Sequence, residues 1–392
     1  MLDPKILSAN IRKFRLRRKM TETAVAKKLF ITPQTVSKWE NAVALPDLNN
    51  FSALCDLLSV TPNELLGVED ARDLRKKMIA IDGGGTKTDF VLFSEDGTVL
   101  QRLTFGGSNP STIGFQNAAE TLRSGIDRFL AIEPSVSFVF AGLAGVTAGD
   151  NHARLQKYFK RLYPHLPFKM DSDILNVIHS VSGVKKCVAL ISGTGSVVYG
   201  SDGKTLQCVG GNGFFFDSAG SGFDIGRDAI SLCLKVEDGF LPVTPLYQLF
   251  KDTLQGTVHE KLAAIYSGGV DHIAGFAPLV FDAAQEGDEF AKEILERNMK
   301  QLGKLVNHMK SVMDCGNTVI FAGGLSRRFS QLEPYLRHDL PKGTRIIVPK
   351  FTPVYGASAY CTELAGLMKD RDKFETTFHD TFLSAPLEAN EI

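Results

Sequence analysis

The 392-residue sequence contains no apolar run long enough for a membrane helix, because the longest one, near residues 138–146, is far short of the roughly 20 residues required. Its six cysteines are scattered and form no Cys-x-x-Cys pair, so neither a zinc knuckle nor a disulfide framework is indicated. The first residues also lack the apolar core of a signal peptide. We therefore expect a reduced, cytoplasmic protein with no membrane contact.

Positive charge is concentrated at one end of a chain that has no net charge. The whole sequence holds 44 Lys and Arg against 44 Asp and Glu, whereas residues 1–67 hold ten against six. Six of those ten cations lie between Arg12 and Lys19. Such a cluster suits a polyanion such as DNA, although for charge alone a solvated helix face is the more common explanation.

The same segment carries the local signals of two short helices joined by a turn. Thr21 and Thr32 are suitable N-caps, and Pro33 stands at a first helical position, where a missing N–H group costs little. The signals predict helical stretches over residues 22–29, 34–41, 48–58 and 62–66. In the second stretch, Val36 and Trp39 are expected to pack inward.

Residues 8–67 resemble the lambda-repressor/Cro-like helix-turn-helix family. The resemblance rests on Thr21, Ala26, Leu29, Thr32, Gln34, Thr35, Val36, Ser37, Trp39, Glu40, Asn41, Leu45-Pro46 and Asn63-Glu64-Leu65-Leu66. It implies an all-α domain over residues 1–67 that binds operator DNA as a homodimer reading two half-sites. The side chains implied to hold phosphates are Arg12, Lys13 and Lys38, and those implied to read base edges are Gln34, Thr35 and Ser37.

Four residues depart from the pattern of that family. Glu22 stands where Gln commonly holds a phosphate, Phe30 and Ala42 stand where Gly is usual, and Pro33 stands where Arg is frequent. Because Glu22 would repel a phosphate, we expect low DNA affinity or a shifted register on the DNA. The alternative is a helix-turn-helix that binds another protein instead.

A strand–glycine loop–strand pattern occurs twice after a charged linker, residues 68–77. Residues 78–82 lead into Gly83-Gly84-Gly85-Thr86-Lys87, and residues 188–191 lead into Ser192-Gly193-Thr194-Gly195-Ser196. Each pattern then returns through an Asp-Gly turn typical of a hairpin. We expect two similar α/β lobes, the second from about residue 186, which face each other across a ligand-binding cleft.

Both glycine loops have the composition of a phosphate site. Glycines let main-chain N–H groups approach phosphate oxygens, and Thr and Ser add hydroxyl donors. The alternative is that both loops are only tight turns. Neither loop is a Walker A sequence, and no Gly-x-Gly-x-x-Gly follows the first strand, which disfavours a P-loop enzyme and a nicotinamide dehydrogenase.

Residues 78–368 are similar to the sugar kinase/Hsp70/actin superfamily, and within it to the N-acetylglucosamine kinase-like and BadF/BadG-type ATPases. The shared motifs are residues 82–88, 191–196, 210–213, 220–222, 322–324 and 352–357. The resemblance implies an α/β two-lobed actin-like ATPase (ribonuclease H-like) fold, followed by a tail over residues 369–392. In that tail Phe374, Phe378 and Phe382 predict a short amphipathic helix docked on its own chain.

The resemblance also implies ATP and Mg²⁺ as cofactors and phosphoryl transfer to a sugar hydroxyl. Asp82 is the residue implied to hold magnesium, largely through water. The residues implied to bind the nucleotide are Gly84, Gly85, Thr86, Lys87, Gly193, Thr194, Gly195, Gly323 and Gly324. Asp173 is the implied base at the sugar, with Asp171 in reserve; the alternative is that Asp173 only caps the helix after it.

In the sugar site, Asn109 and Gly211 match the family pattern and three other positions depart from it. Asn212 stands where Trp is common, Ser218 where a sugar-binding Asp is usual, and Ala219 where Glu is usual. An acidic group that bonds two hydroxyls discriminates between sugars much better than Ser does. The identity of the sugar, and turnover itself, are therefore open.

Two neighbouring features leave alternatives at this site. Asp217 could replace the missing acid only if the loop shifts by one residue. The three phenylalanines at 214–216 form either lobe core, the more common case, or a modified wall of the sugar pocket.

Two functions follow. In the first, the protein is a transcriptional regulator whose kinase-like domain senses an amino sugar or hexose, with or without ATP. In the second, it is an active N-acetylglucosamine-type sugar kinase with an appended DNA-binding module. Ser218 and Ala219, which replace the usual acidic pair, favour a sensor with weak or lost activity.

Overall fold

The computed structural model of the chain describes residues 4–67, 75–217 and 219–389. Within it the chain divides into two compact units, with the boundary between Arg75 and Lys76. Most of the expected linker, and Ser218 in the expected sugar site, lie outside the described residues.

The first unit is all-α over its described residues. Its helices are α1 (Pro4–Arg17), α2 (Glu22–Leu29), α3 (Pro33–Glu40), α4 (Leu48–Leu58) and α5 (Pro62–Leu66). The hydroxyls of Thr21 and Thr32 accept hydrogen bonds from the first turns of α2 and α3, as their sequence positions predicted. Val36 and Trp39 are buried in the core that all five helices share, which confirms the inward face of α3.

A buried ion pair joins α1 to α3. Nε and Nη2 of Arg15 donate to the two carboxylate oxygens of Glu40 at 2.5 and 2.7 Å, and Nη1 of Arg15 donates to the main-chain oxygen of Met20. Both charged side chains are buried, so each depends on the other for its hydrogen bonds. One cation of the basic cluster is therefore structural and is not free to contact DNA.

The second unit begins with a mixed sheet and its helices. These elements are β1 (Lys77–Gly83), β2 (Lys87–Ser94), β3 (Val99–Gly106), α6 (Pro110–Ile113), α7 (Phe115–Ile132), β4 (Val136–Leu143), α8 (Asn151–Leu162), β5 (Phe168–Ser172) and α9 (Ile174–His179). The strand order is β3-β2-β1-β4-β5, in which β1, β4 and β5 are parallel and the β1-β2-β3 hairpins are antiparallel.

The next stretch repeats this arrangement with more helices. Its elements are β6 (Lys186–Ser192), β7 (Ser196–Asp202), β8 (Leu206–Gly210), α10 (Gly222–Glu237), α11 (Pro245–Leu254), α12 (Val258–Ala274), α13 (Ala277–Gln285), α14 (Glu289–Val312), β9 (Thr318–Ala322), a 3₁₀ helix (Gly324–Arg328), α15 (Phe329–Asp339) and β10 (Arg345–Ile347). The order β8-β7-β6-β9-β10 reproduces that of the first sheet. The internal duplication inferred from the two glycine hairpins is confirmed.

The last elements return to the first sheet. They are α16 (Pro353–Leu364), α17 (Arg371–Phe382) and β11 (Leu387–Ala389). Phe374 and Phe378 of α17 are buried against Phe93 and Tyr355, so the helix predicted from the phenylalanine spacing exists and docks on its own chain. β11 then pairs in parallel with β3 as a sixth strand.

Two neighbouring helices connect the sheets of the second unit. α16 packs its apolar side chains on β1 and β4 of the first sheet. α9 packs Ile174, Val177 and Ile178 on β6 and β9 of the second sheet, and it contacts α16 along its length. Among the described residues, no helix combines the length and the apolar character needed to cross a membrane.

Phe30 ends α2 in a left-handed conformation, with φ of 57°, and its side chain is 96% exposed. We predict that Phe30→Gly stabilises the first unit by about 1 kcal/mol. The left-handed conformation costs a residue with a side chain roughly 1–2 kcal/mol, part of which glycine returns through its larger entropy when unfolded. Fluorescence of Trp39, the only tryptophan and a buried one, measures unfolding by denaturant.

The matched control is Lys27→Gly at an exposed position inside α2. Because Lys27 already has a helical φ, glycine relieves no strain there and should lower the free energy of unfolding by about 1 kcal/mol. An unfolding midpoint of Phe30→Gly at or below that of the wild type would contradict the assignment of strain to Phe30.

Candidate functional site

Parallel strand pairing brings three acidic positions to one edge of the first sheet. In the register of β1, β4 and β5, Asp82 lies opposite Gly142, and Gly142 lies opposite Asp171. Asp173 follows directly, where β5 ends and α9 begins. Because the carboxyl ends of parallel strands share one edge, Asp82 and Asp173 come together although 90 residues separate them.

Asp82 is held in a desolvated position at this edge. Burial, and to a smaller extent the charge of Asp173, raise the pKa of its carboxyl group to about 7, while a hydrogen bond from Asn176 opposes the rise. The Asn176 amide donates to Oδ1 of Asp82 at 2.6 Å. Sequence reasoning missed Asn176, because its contact with Asp82 depends on the tertiary fold.

The side chain of Asp173 does not cap the helix that follows it. Asp173 stands at the N-cap position of α9, but its side chain makes no capping hydrogen bond to the first turn, so the role of base stays a prediction. Burial raises the pKa of Asp173, against a hydrogen bond from the Ser172 hydroxyl. Oδ1 of Asp171, the reserve candidate, instead accepts the main-chain N–H of Ser172 at 2.8 Å.

The first glycine loop joins β1 to β2 and is tied to the segment after β3. The N–H of Gly84 donates to the oxygen of Lys87 at 2.9 Å, and the N–H of Ser108 donates to the oxygen of Gly84 at 3.0 Å. Thr86 is exposed at the tip. Nζ of Lys87 donates to Asp89 at 2.6 Å, so part of its positive charge is already paired within the protein.

Asn109, the expected sugar ligand, begins α6 beside this loop. Its Oδ1 accepts the N–H of Ser111 at 2.9 Å and so acts as the N-cap. Within the described part of the chain, its amide hydrogens make no hydrogen bond, which leaves them available to a ligand hydroxyl.

The second glycine loop joins β6 to β7 and rests on the start of α10. The N–H groups of Gly222 and Phe223 donate to the oxygens of Gly193 and Thr194, at 2.7 and 3.2 Å. Gly323 has φ of 93°, and a Cβ there would collide with the main-chain oxygen of Ser192. The expected nucleotide residues at 193–195 and 323–324 are therefore direct neighbours.

Thr194 uses its hydroxyl within the protein. Oγ1 of Thr194 donates to Oδ1 of Asp271 at 3.1 Å, and since a hydroxyl carries one hydrogen, it does not donate to a phosphate in this state. Asp271 lies on α12 just after Gly269, whose φ of 69° interrupts the helix. Sequence reasoning missed Asp271, although the Gly268-Gly269 pair inside a helical pattern was an available signal.

A cavity of about 310 Å³ lies beside the second loop, in the size range of small-molecule sites. Its lining includes Gly195, Tyr199, Gly211, Phe214 and Asp217. Burial raises the pKa of the Tyr199 hydroxyl, and the nearby thiol of Cys208 and carboxylate of Asp173 also raise it. Tyr199, also missed by sequence reasoning, therefore connects this cavity to the candidate base.

The loop between β8 and α10 shapes that cavity. Nδ2 of Asn212 donates to Oδ2 of Asp217 at 2.9 Å, so an acid is present at the cavity one position before the expected one. Phe215 and Phe216 are 80% and 90% exposed, so the core interpretation of these phenylalanines is wrong. Phe214 is the one that lines the cavity wall.

The first unit presents a polar surface on α3. Gln34 and Lys38 are exposed, Thr35 and Ser37 are partly exposed, and the hydroxyl of Thr35 lies 2.9 Å from that of Thr32. Arg12 and Lys13 of α1 are exposed as well. They line one side of a groove whose other side is formed by residues 40–42, at the end of α3.

Comparison with known families decides the identity of the second unit. Residues 79–361, most of the chain, match the model of the BadF/BadG/BcrA/BcrD ATPase family. The chain belongs to this ATPase family. Residues 11–65 match a helix-turn-helix family model, which places a helix-turn-helix domain before the ATPase unit.

Curated relatives and solved structures agree with this assignment. The chain is 29% identical to N-acetyl-D-glucosamine kinase of Dictyostelium discoideum, over 58% of this chain and 77% of the relative. It is 27% identical to N-acetylmuramic acid/N-acetylglucosamine kinase of Clostridium acetobutylicum, over 72% of this chain and 97% of the relative. The fold is shared with two structures assigned as N-acetylglucosamine kinases. The one from Chromobacterium violaceum has a TM-score of 0.56 and 24% identity, over 74% of this chain and 99% of that chain. The one from Porphyromonas gingivalis has a TM-score of 0.59 and 20% identity, over 73% of this chain and 99% of that chain.

The residues of the ATPase unit fit a magnesium–nucleotide. Within the described residues, the main-chain N–H groups of Gly85, Thr86, Thr194 and Gly195 make no hydrogen bond in the protein, as in a phosphate cradle. No group of three or more His, Cys, Asp or Glu side chains placed to hold a metal ion together occurs in the described ranges. A single carboxylate, Asp82, suits Mg²⁺, which keeps most of its water.

We predict that Gly323→Ala weakens ADP binding roughly fivefold or more. Its Cβ would push Ser192 away, and overpacking of this kind costs typically 1–3 kcal/mol, where 1.4 kcal/mol is tenfold in affinity. Isothermal titration calorimetry measures the affinity. The matched control is Gly287→Ala, with φ of 97° and open space around it, which should lose stability and keep ADP affinity. Equal ADP affinities of the two variants would remove Gly323 from the site.

Proposed function

We propose that the protein is a DNA-binding transcriptional regulator whose ATPase unit senses an amino sugar together with a nucleotide. The observation that carries this is the combination, in one chain, of a helix-turn-helix with an exposed polar α3 and an ATPase unit with a sugar-sized cavity. Ala219, next to that cavity, lacks the carboxylate usual in sugar kinases of this type, which favours sensing over rapid turnover.

The DNA-binding half of the proposal rests on α3 and its neighbours. Gln34, Thr35 and Ser37 would read base edges, while Arg12, Lys13 and Lys38 would hold phosphates. A single helix-turn-helix grips DNA weakly, so we propose a homodimer on two half-sites. Ligand binding would then shift the dimer between two states, which needs only a few kcal/mol of differential affinity.

The sugar half of the proposal rests on the cavity beside the second glycine loop. Asp217 and Asn212 would bond sugar hydroxyls next to the main chain of Gly211, and the amide of Asn109 would add a donor from the first lobe. The two relatives act on N-acetylglucosamine or N-acetylmuramic acid by name, so we propose an N-acetylated amino sugar as the ligand.

A second candidate function is that of an active sugar kinase with an appended DNA-binding module. It is favoured by Asp173, which is half-buried, makes no side-chain capping bond and lies close enough to influence Asp82 and Tyr199. Asp173 would accept the proton of the attacking sugar hydroxyl. Mg²⁺ held through Asp82, when bound with ATP, would neutralise charge on the phosphates, and the free N–H groups of both glycine loops would orient them.

DNA binding is tested by gel shifts with duplexes selected from a random pool by the wild-type protein. We predict that Gln34→Ala weakens binding to the selected duplex roughly tenfold, since a good base contact is worth about 1–3 kcal/mol. Ser52→Ala, at an exposed position of α4, is the control and should bind as the wild type does. If no duplex is selected above the unselected pool, the regulator proposal is abandoned.

Turnover is tested by coupled ADP release with N-acetylglucosamine, N-acetylmuramic acid and glucose. If the kinase alternative is correct, Asp173→Asn abolishes ADP release and Asp171→Asn largely retains it. The base must be ionised, and burial raises the pKa of Asp173. The rate of ADP release should therefore increase with pH, and the increase should occur at a higher pH than an exposed aspartate would give. Sugar binding by calorimetry without any ADP release would instead support the sensor.

A further inference from the structure

Asn176 is a fully buried amide that contacts both catalytic candidates of the first lobe. It lies one turn into α9, the helix that follows Asp173, and its N–H donates to the main-chain oxygen of Asp173. Its Nδ2 donates to Oδ1 of Asp82 at 2.6 Å and to the main-chain oxygen of Gly142 at 3.3 Å. Both amide hydrogens are therefore used, and both acceptors lie at the end of the first sheet.

Two close approaches fix this side chain in place. A Cβ at Gly142 would collide with the Asn176 amide, and a Cβ at Gly356 of α16 would collide with the main-chain oxygen of Asn176. The opposite orientation of the amide would set its oxygen against the Asp82 carboxylate and the Gly142 carbonyl, which repel it. The environment thus admits one orientation, in which the amide is a donor to Asp82.

The amide also carries a cost that a stabilising residue would avoid. Among the described residues, Oδ1 of Asn176 is buried without a hydrogen-bond partner. An unpartnered buried acceptor is unfavourable, and an apolar side chain of similar volume would remove the penalty. What Asn176 provides in return is the hydrogen bond to Asp82.

We propose that Asn176 is a positioning residue for Asp82. By occupying Oδ1, it would leave Oδ2 as the oxygen available to a hydrated magnesium ion bound with the nucleotide. Because Asn176 belongs to the helix that begins after Asp173, it also sets the spacing between the two carboxylates. This inference rests on the nucleotide site of the proposed function.

A matched control exists in the second lobe. Asn298 of α14 is buried, and its Nδ2 likewise donates to a carboxylate, that of Asp228 at 3.0 Å, and to a main-chain oxygen, that of Ile294 at 2.9 Å. Asn176→Leu and Asn298→Leu therefore remove the same set of bonds, one at the candidate metal site and one outside it.

The experiment measures ADP binding to the full chain by calorimetry, first in EDTA and then at increasing Mg²⁺. In the wild type, Mg²⁺ should tighten ADP binding. In Asn176→Leu, the Mg²⁺ concentration that gives half of this effect should rise about 10- to 100-fold, as is typical when a residue that hydrogen-bonds a metal ligand is replaced. The affinity for ADP in EDTA should be unchanged. Asn298→Leu should respond to Mg²⁺ as the wild type does.

Three outcomes decide against the role of Asn176. An unchanged Mg²⁺ response in Asn176→Leu overturns it directly. Asn176→Ala adds no bulk near Gly142 and Gly356, so if both Asn176 variants are unfolded while Asn298→Leu folds, the residue serves stability instead. If the wild type binds no ADP at any Mg²⁺ concentration, the nucleotide site itself is refuted and the inference falls with it.

Discussion

The parallel pairing of β1, β4 and β5 is the constraint on which the candidate chemistry depends. It sets Asp82, Gly142 and Asp171 in one row and starts α9 just beyond that row. A shift of one residue in the pairing of β1 would turn Asp82 to the other face of the sheet, away from Asn176 and Asp173. β1 and β4 are mostly apolar and buried, so packing on both faces of the sheet stabilises the pairing that positions the polar groups.

The duplication gives each lobe a glycine hairpin at the same topological place, but the two hairpins have diverged in their supports. The first is tied to residues 107–108 and to the ion pair between Lys87 and Asp89. The second rests on the start of α10 and packs against Gly323. Shared architecture therefore supplies main-chain donors in both lobes, whereas side-chain chemistry is specific to each: carboxylates in the first, and the cavity with Tyr199 and Asp217 in the second.

Local signals in the sequence were sufficient for the helix starts of the first unit and for the glycine hairpins of the second, while the roles of the site residues stay predictions. Thr21 and Thr32 predicted two helix starts because capping involves residues three positions apart. The Asp-Gly turns likewise predicted the hairpins β2–β3 and β7–β8 from neighbouring residues. Asn176 and Tyr199 could not be found this way, since each acts through a partner distant in sequence, whereas Asp271 follows the Gly268-Gly269 pair that marks an interrupted helix. The phenylalanines at 215–216 were misjudged because an apolar triplet is usually buried, whereas this loop exposes two of its members. Arg15 looked like part of a DNA-binding cluster until its partner Glu40 was located.

The first lobe is assembled from two distant parts of the chain. Strands β1–β5 come before the second lobe in sequence, whereas α16, α17 and β11 come after it, and β11 closes the edge of the sheet beside β3. During synthesis, the apolar face that Phe93 and Phe140 share with Tyr355 and Phe374 must wait until the whole second lobe has left the ribosome. The second lobe, contiguous in sequence, is complete first, so the lobe that carries Asp82 and Asp173 is the last to mature and the one most dependent on an intact C-terminal segment.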